Sequence, residues 1–317
     1  MANAREIQNR IDSIRDTMKI TRAMYMMSSM KLRKAKQKLE NTEPYFTSLQ
    51  EQIKDILYHY PDMQHLYFDN RNKDMKETVK KKGFVIVTGD KGMAGAYNLN
   101  VLKKARELID QAEDYRLFVV GELGRQFFKS QGYPVEEKFV YSANNPSIHR
   151  ARMMTEYIID LYQKEELDEV YIILTRMVNS LSEEAEIHRL LPLQTHKFLE
   201  EEMLEKIQNE EGGIDQNEAR KLHDDWYLIY PSPTEVLEKL VYNYVTGFFY
   251  GALVEASACE ENARMLAMQS ATNNAEAMLH DLSIEYNRVR QAAITQEITE
   301  VIGGAKALKK KKQKQER

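Results

Sequence analysis

Residues 263–308 read ARMLAMQSATNNAEAMLHDLSIEYNRVRQAAITQEITEVIGGAKAL. Apolar and small residues recur in this stretch at alternating steps of three and four, at Met265, Met268, Thr272, Ala275, Leu279, Leu282, Tyr286, Val289 and Ala293. Such a repeat is typical of a coiled-coil seam. Upstream, Thr234 follows two prolines and is a candidate helix cap, while Gly303-Gly304 is a candidate stop. The pattern therefore predicts one helix over residues 234–302.

The N-terminal end of the chain carries the same repeat. Its seam positions are Ile7, Ile11, Ile14, Met18, Thr21, Tyr25, Ser28, Leu32, Ala35 and Leu39. We expect a helix over residues 1–60, interrupted near Pro44. Because neither terminal helix can bury its stripe alone, the simplest arrangement is that the two pack antiparallel against each other. Periodicity by itself leaves a generic helical hairpin or a self-dimerising coiled coil as alternatives.

The middle of the chain, residues 61–233, has the pattern of an α/β domain. Short apolar runs alternate with helical spacing, and the predicted strands are FVIVT at 84–88, RLFVVG at 116–121, FVYS at 139–142 and EVYIILT at 169–175. This alternation predicts a small, mostly parallel, Rossmann-like sheet. Residues 200–225 are acidic and contain Gly212-Gly213, so we interpret them as a solvated loop or loose helix.

Composition and charge narrow the class of protein. The single cysteine, Cys259, excludes an internal disulfide and fits a reducing, cytoplasmic compartment. No apolar run reaches the roughly 18–20 residues of a membrane span. Between Lys19 and Lys38 there are seven basic residues and no acid, although the net charge of the chain is −4. A second basic segment, residues 309–317, holds six cations against one acid and is predicted to be a disordered tail.

Two candidate chemical sites were weighed. The loop Gly89-Asp90-Lys91-Gly92-Met93-Ala94-Gly95 follows the first sheet strand, where a phosphate-binding loop belongs, but its glycine spacing matches neither dinucleotide nor Walker loops. A tight structural turn is therefore favoured over nucleotide binding. On a strand, Glu184, Glu186 and His188 would share one face, and a solvated polar face is favoured over a metal site. We expect no cofactor and no metal.

Three segments together resemble the gamma subunit of rotary F-type ATP synthase. They are REIQNRIDSIRDTMKITRAMYMMSSMKLRKA at 5–35, VTGDKGMAGAYN at 87–98, and the stretch 263–308 with its ARMLAMQSATNNA and YNRVRQAAITQE strings. The resemblance covers the whole order of the chain, from long helix through α/β domain to long helix, and is most specific at the two ends.

The resemblance implies a non-catalytic rotor. The helical pair would stand inside a ring of alpha and beta subunits, and the α/β domain would lie beside the epsilon subunit and on the ring of c subunits. Ion flow would turn the shaft and drive the beta subunits through their conformational states. The protein would then be peripheral to the cytoplasmic face of a bacterial cell membrane, without a direct span and without a nucleic-acid partner.

Individual residues are carried over from the family by matching strings. Met24 in ITRAM matches a shaft methionine near the contact with beta, and Arg264 in ARM matches a polar shaft residue that hydrogen-bonds loops of beta. The string RQAAITQE adds Arg290, Gln291, Thr295 and Glu297, which would hydrogen-bond loops of beta. Two rival classes remain open on sequence alone, an α/β nucleotide-binding enzyme with helical arms and a coiled-coil nucleic-acid adaptor.

Overall fold

The computed structural model describes residues 4–60, 63, 65–68, 80–179, 182–194, 198 and 229–315, with side chains on the last helix up to Lys306. The helices are α1 (Ala4–His59), α2 (Tyr97–Ile109), α3 (Glu122–Ser130), α4 (Ile148–Gln163) and α5 (Pro233–Gln315), and the strands are β1 (Lys81–Val87), β2 (Asp114–Val120), β3 (Glu169–Met177) and β4 (Glu183–Leu191). The chain divides into two compact units, one formed by residues 1–27 with 265–317 and the other by residues 28–264.

The α1 helix continues through Pro44, so the predicted interruption is wrong. A proline inside a helix removes one hydrogen bond and costs about 3 kcal/mol or more. Packing of the following turns offsets that cost. Phe46 stacks on Tyr244 with ring centroids 4.8 Å apart, and Leu49 and Ile53 are buried.

The start and the end of α5 also differ from the prediction. Ser232, not Thr234, caps the helix, because its Oγ accepts a hydrogen bond from the Glu235 backbone N–H at 3.3 Å and Pro233 takes the first helical position. At the other end the helix runs through Gly303-Gly304 to Gln315. Glycine costs only about 1 kcal/mol in a helix interior, and the Ala, Leu and Lys residues that follow are strong helix formers.

The predicted disorder of the tail 309–317 is therefore not what the structure has, since the backbone is helical as far as Gln315. The side chains of this tail lie outside the described residues, and so does the acidic segment that we interpreted at 200–225.

Antiparallel pairing of the two terminal helices is present in the unit formed by the chain ends. Thr21 of α1 and Thr272 of α5 share a hydrogen bond of 2.8 Å between their hydroxyl groups, and Arg22 pairs with Glu276 one turn further. Ile7 and Ile11, predicted seam positions near the start of α1, are buried. The seam read from the sequence is thus the contact surface of the helix pair.

In the other unit, the described residues form a four-stranded sheet in the order β2-β1-β3-β4. β1 is parallel to β2 and β3, and β4 is antiparallel to β3, which confirms a small, mostly parallel sheet. Residues 139–142 form no strand and contribute only an isolated bridge between Val120 and Tyr141. β4 is the strand that apolar runs did not reveal, because it carries charges on most of its length.

Each face of the sheet has its own core, because side chains alternate along every strand. Phe84 and Leu117 point to the face covered by α2 and α3, where Phe128 is fully buried. On the opposite face, Val85 and Phe118 pack in a larger core that also holds buried residues of α1, α4 and α5. The α/β unit is therefore a three-layer arrangement in which the two terminal helices supply part of one layer.

The turn after β2 generates a prediction about stability. Gly121 has φ +91°, and a Cβ placed there would lie 2.2 Å from the Thr88 carbonyl oxygen. Gly121→Ala should lower the free energy of unfolding by at least about 1–3 kcal/mol, because both the backbone conformation and the close approach forbid a side chain. Urea unfolding followed by circular dichroism measures this change. Gly92→Ala is the matched control, since a Cβ there meets no atom within 4 Å; equal losses in both variants would contradict the argument.

Candidate functional site

The residues carried over from the family fall into separate places. Met24, on α1, is half-buried, and it lies close to the Thr21–Thr272 contact. The group from Arg290 to Glu297 starts eighteen residues further along α5 than Thr272, which is roughly 27 Å of helix. The structure therefore brings Arg290, Gln291, Thr295 and Glu297 together within two turns but does not bring Met24 to them.

All four residues of that group lie on a part of α5 that no described residue of α1 faces. Because Thr21 faces Thr272 in an antiparallel pair, the first described residue of α1, Ala4, corresponds to about Val289 on α5. Every residue from Arg290 to Lys306 is exposed, in agreement with that register. We call residues 290–306 the overhang.

The overhang presents an apolar stripe to solvent. Ile294, Ile298, Val301 and Ile302 are spaced for one helix face and are 47%, 53%, 72% and 51% exposed. Thr295 turns its hydroxyl inward, donating to the Gln291 carbonyl oxygen at 2.8 Å. A long helix with an uncovered apolar stripe is typical of a surface that another protein covers.

A second apolar face lies on α1 in the same unit. Ile20, Met24 and Met27 follow one another at helical spacing, and Ile20 and Met27 are 61% and 55% exposed. Methionine is unbranched and adapts to irregular partner surfaces. Lys19 and Arg22 stand beside this face, where they pair with Asp16 and Glu276.

Arg264 has a different environment, inside the unit of residues 28–264. Its side chain is only 9% exposed and forms ion pairs with Glu260 and with Glu261, the latter at 3.0 Å. Lys31 of α1 adds a contact of 2.8 Å to Glu261. We call these four residues the Arg264 cluster. Ion pairs of the cluster therefore hold α1 against α5 at the level of Ser28, where the seam has a small polar residue in place of an apolar one.

Burial and ion pairing shift the pKa values of the two carboxylates of the Arg264 cluster in opposite directions. For Glu260, burial outweighs the contact with Arg264 and raises the pKa. For Glu261, burial is overcome by hydrogen bonds from Lys31 and Ser28 and by the charge of Arg264, so its pKa is lowered. Burial acts to lower the pKa of Arg264, but the hydrogen bond and charge of Glu260 raise it. Arg264 therefore stays cationic between its two acids.

The loop of residues 89–95, which we call the edge loop, lies against the Arg264 cluster. The Glu260 carboxylate fills the space where a Cβ of Gly89 would be, at 2.8 Å, and the Arg264 guanidinium approaches the Gly92 carbonyl oxygen at 3.5 Å. Beneath the loop, Tyr97, Ala94 and Cys259 form a small buried cluster. The edge loop is thus the point at which the carboxyl end of β1 contacts α5.

Asp90 fastens the other side of the edge loop. Its carboxylate accepts hydrogen bonds from the Ser142 hydroxyl, from the backbone and side chain of Asn144, and from the backbone N–H of Glu122. Burial alone would raise the pKa of Asp90, but these hydrogen bonds hold it below its ordinary value. Sequence reasoning missed Asp90, whose partners lie at least 32 residues away.

These contacts favour the structural interpretation of the glycine loop. Within the loop, the Gly89 backbone N–H donates to the Asn98 side-chain oxygen at 2.8 Å, and the Asp90 carboxylate accepts hydrogen bonds from α3 and from residues 142–144. The candidate metal site on the strand face of Glu184, Glu186 and His188 also has a structural interpretation. Glu186 on β4 pairs with His188 at 3.0 Å and with Arg176 at 3.6 Å. Among the described residues, no group of three or more acids, histidines and cysteines is arranged to hold a metal ion.

One signal for the Arg264 cluster was present in the sequence. Glu260 lies four residues and Glu261 three residues before Arg264, which on a helix places both acids beside the guanidinium. Their burial against the edge loop has no such signal, because it depends on how the sheet packs on α5.

Comparison with known proteins places the chain in a family. The family model that matches is described as ATP synthase and covers residues 3–308. The chain is 44% identical to the ATP synthase gamma chain of Ruminiclostridium cellulolyticum, over 96% of this chain and 99% of that protein. It is 42% identical to the ATP synthase gamma chain of Acetivibrio thermocellus, over 98% and 100%. A sodium-ion-specific ATP synthase gamma chain of Acetobacterium woodii is 37% identical over 96% and 99%.

Solved structures share the fold at lower identity. A chain from the central stalk and c-ring of the Tetrahymena thermophila mitochondrial ATP synthase superposes with a TM-score of 0.56, at 19% identity, covering 80% of this chain and 99% of that one. A chain of the Euglena gracilis mitochondrial ATP synthase gives a TM-score of 0.50 at 14% identity, covering 90% and 95%. The fold of this chain is therefore shared with both.

The buried ion pairs generate a second prediction. Arg264→Met keeps the length of the side chain but leaves Glu260 buried without its cation, so the free energy of unfolding should fall by about 3–5 kcal/mol. Adding Glu260→Gln removes the orphaned charge and should recover part of that loss. Urea unfolding of the full chain measures both changes.

Arg22→Met is the matched control for this experiment. The Arg22–Glu276 pair is about half exposed, with side-chain exposures of 53% and 52%, so its loss should change stability by less than about 1 kcal/mol. Equal destabilisation by Arg22→Met and Arg264→Met would show that burial does not account for the contribution of the Arg264 cluster to stability.

Proposed function

Because this chain belongs to the ATP synthase gamma-chain family, we propose that its paired ends turn as a shaft within a ring of catalytic subunits. As a gamma chain, it is a component of the ATP synthase complex and the rotor of the central stalk. Rotation of an asymmetric shaft would favour a different conformation in each catalytic subunit in turn. Ion flow through the membrane ring supplies the torque in this scheme.

The observation that carries the proposal is the overhang. It extends α5 beyond the register of α1, it is exposed along its whole length, and its apolar stripe runs from Ile294 to Ile302. In a free-standing helical hairpin this apolar stripe would stay exposed to water. In a shaft whose tip is enclosed by a ring of subunits, the ring would cover the stripe.

We assign the contacts of the shaft to the alpha and beta subunits. Met24 and its apolar face would meet a beta subunit, and Arg290, Gln291, Thr295 and Glu297 would hydrogen-bond beta loops from the overhang. Arg264 is already enclosed by Glu260 and Glu261. We therefore propose that Arg264 serves coupling from within the chain, by fixing α5 to the edge loop.

The α/β domain is proposed to meet the epsilon subunit and the ring of c subunits. Torque delivered there would pass through the edge loop and the Arg264 cluster into α5, which runs unbroken to Gln315. In functional terms we divide the chain into the helix 1–60, the α/β domain 61–233, the helix 234–308 and the basic tail 309–317.

The chain itself is proposed to be non-catalytic. Nucleotide chemistry would belong to the partner subunits, and the edge loop supports this because its Gly89 N–H and its Asp90 carboxylate are already hydrogen-bonded within the chain. None of the helices in the described part of the chain has an apolar run suited to crossing a membrane. We propose that the protein is peripheral, at the cytoplasmic face of a bacterial cell membrane, where it would be held by its partners.

The overhang provides the experiment that tests this function. Replacing Gln291 and Thr295 by Val removes two polar groups, each worth about 0.5–1.5 kcal/mol when hydrogen-bonded to a partner. In the assembled complex, ATP synthesis driven by an ion gradient should fall about two- to tenfold, while co-purification of the alpha and beta subunits persists.

Gln126→Val supplies the control, because Gln126 makes an equally exposed side-chain hydrogen bond on α3, to Glu122 at 3.0 Å. It should leave the rate of ATP synthesis unchanged. An unchanged rate of ATP synthesis in the Gln291→Val, Thr295→Val variant would contradict the proposed contact between the overhang and beta.

A further inference from the structure

A cavity of about 480 Å³ lies within the unit of residues 28–264, between α1, α5 and the sheet strands β3 and β4. Neither the shaft contacts nor the Arg264 cluster uses it. Its volume falls within the range of small-molecule sites, which is roughly 300–1,000 Å³.

Most of the wall is apolar and part of it is aromatic. Phe46 of α1 and Phe248 of α5 contribute rings whose centroids are 6.4 Å apart, and Leu174 of β3 adds an aliphatic surface. The Phe46 ring packs on Gly247, where a Cβ would lie 3.3 Å from it, whereas Gly251 leaves room on α5, since a Cβ there would meet no atom within 4 Å. The cavity is therefore open to a flat or extended apolar body.

The charged groups of the wall are mostly acidic. Glu40 and Glu43 of α1 and Glu255 of α5 line the cavity, against the single guanidinium of Arg176. Arg176 is shared between two carboxylates, Glu255 at 3.7 Å and Glu186 at 3.6 Å. Its charge is thus already balanced within the chain, which leaves an excess of negative charge in the wall.

Two further contacts define the polar end. His188 lies in the wall and pairs with Glu186 at 3.0 Å, and its ring meets Phe248 with centroids 6.1 Å apart. Burial raises the pKa of Glu255, although Arg176 acts in the opposite direction. A carboxylate held in a partly desolvated wall gains from any further cation that comes within contact distance.

We propose that this cavity binds an amphipathic organic ammonium ion, with its aromatic or alkyl body against Phe46 and Phe248 and its ammonium group near Glu43 and Glu255. Charge complementarity selects the cation, since an anion would face three carboxylates. The aromatic faces add a further attraction for an ammonium group within about 6 Å of a ring centroid. This site is independent of the rotor role.

Three probes of equal shape test the proposal on the full chain. Phenylbutylammonium, phenylbutanol and phenylpentanoate share one phenylbutyl body and differ in charge, and their binding can be followed by ligand-observed NMR and by thermal shift. We expect the ammonium to bind at least about tenfold more tightly than the alcohol, and the carboxylate to bind less tightly than the alcohol. Equal affinities for the three probes would overturn the proposal.

Variants locate the binding. Gly251→Leu fills the cavity and should abolish binding of the ammonium probe, whereas Gly304→Leu makes the same change on the exposed overhang and should leave binding intact. Glu43→Gln with Glu255→Gln should reduce the affinity of the ammonium about tenfold and leave that of the alcohol unchanged. Retained ammonium binding in Gly251→Leu, with circular dichroism showing the native fold, would place the probe elsewhere and overturn the assignment.

Discussion

The structure depends on one constraint, that each terminal helix carries an apolar stripe which it cannot bury alone. Pairing the two ends of the chain satisfies both stripes at once, and the hydrogen bond between Thr21 and Thr272 fixes their register. Small and hydroxyl-bearing residues on the seam allow the backbones to approach closely. Because the ends must meet, the α/β domain has to be an insertion between them, and the extra length of α5 has to emerge as the overhang.

Coupling between the sheet and the helices rests on buried charge. The Arg264 cluster joins α1, α5 and the edge loop through ion pairs that tolerate little displacement, since separating them would leave a charge uncompensated in a poorly solvated place. Asp90 holds the same loop to α3 and to the segment before α4. A loop fastened on both sides is well suited to carry torque, whereas apolar packing alone would allow sliding.

The sequence predicts the helices and most of the sheet because their signals are local. The seam positions, the runs FVIVT and EVYIILT and the parallel order follow from periodicity and alternation. Helix boundaries were predicted less well. Ser232 caps α5 in place of Thr234, and Gly303-Gly304 does not end it, because glycine penalties are small beside the propensity of the residues that follow. β4 was not predicted from the sequence, because its charged residues obscure the alternating pattern of a strand at the sheet edge.

The candidate site likewise has parts that local sequence signals predict and parts that depend on tertiary packing. Matching strings nominate the polar residues of the overhang and Met24 as candidates, but the burial of Arg264 follows only from tertiary packing. Likewise, the pattern of glycines at residues 89–95 cannot tell a phosphate loop from a fastened turn. What decides between them is the set of hydrogen bonds made by the carboxylate of Asp90, whose partners come from two separate segments of the chain.

The central claim is that this chain rotates against its catalytic ring, and a label on the chain tests it most directly. Cys259 is fully buried, and burial raises the pKa of its thiol, so a cysteine introduced by Glu107→Cys on exposed α2 can be labelled selectively. With the ring of the assembled complex fixed to a surface, the account predicts that the label turns in one direction for as long as ATP is hydrolysed. Continued hydrolysis with a label that does not turn would contradict it.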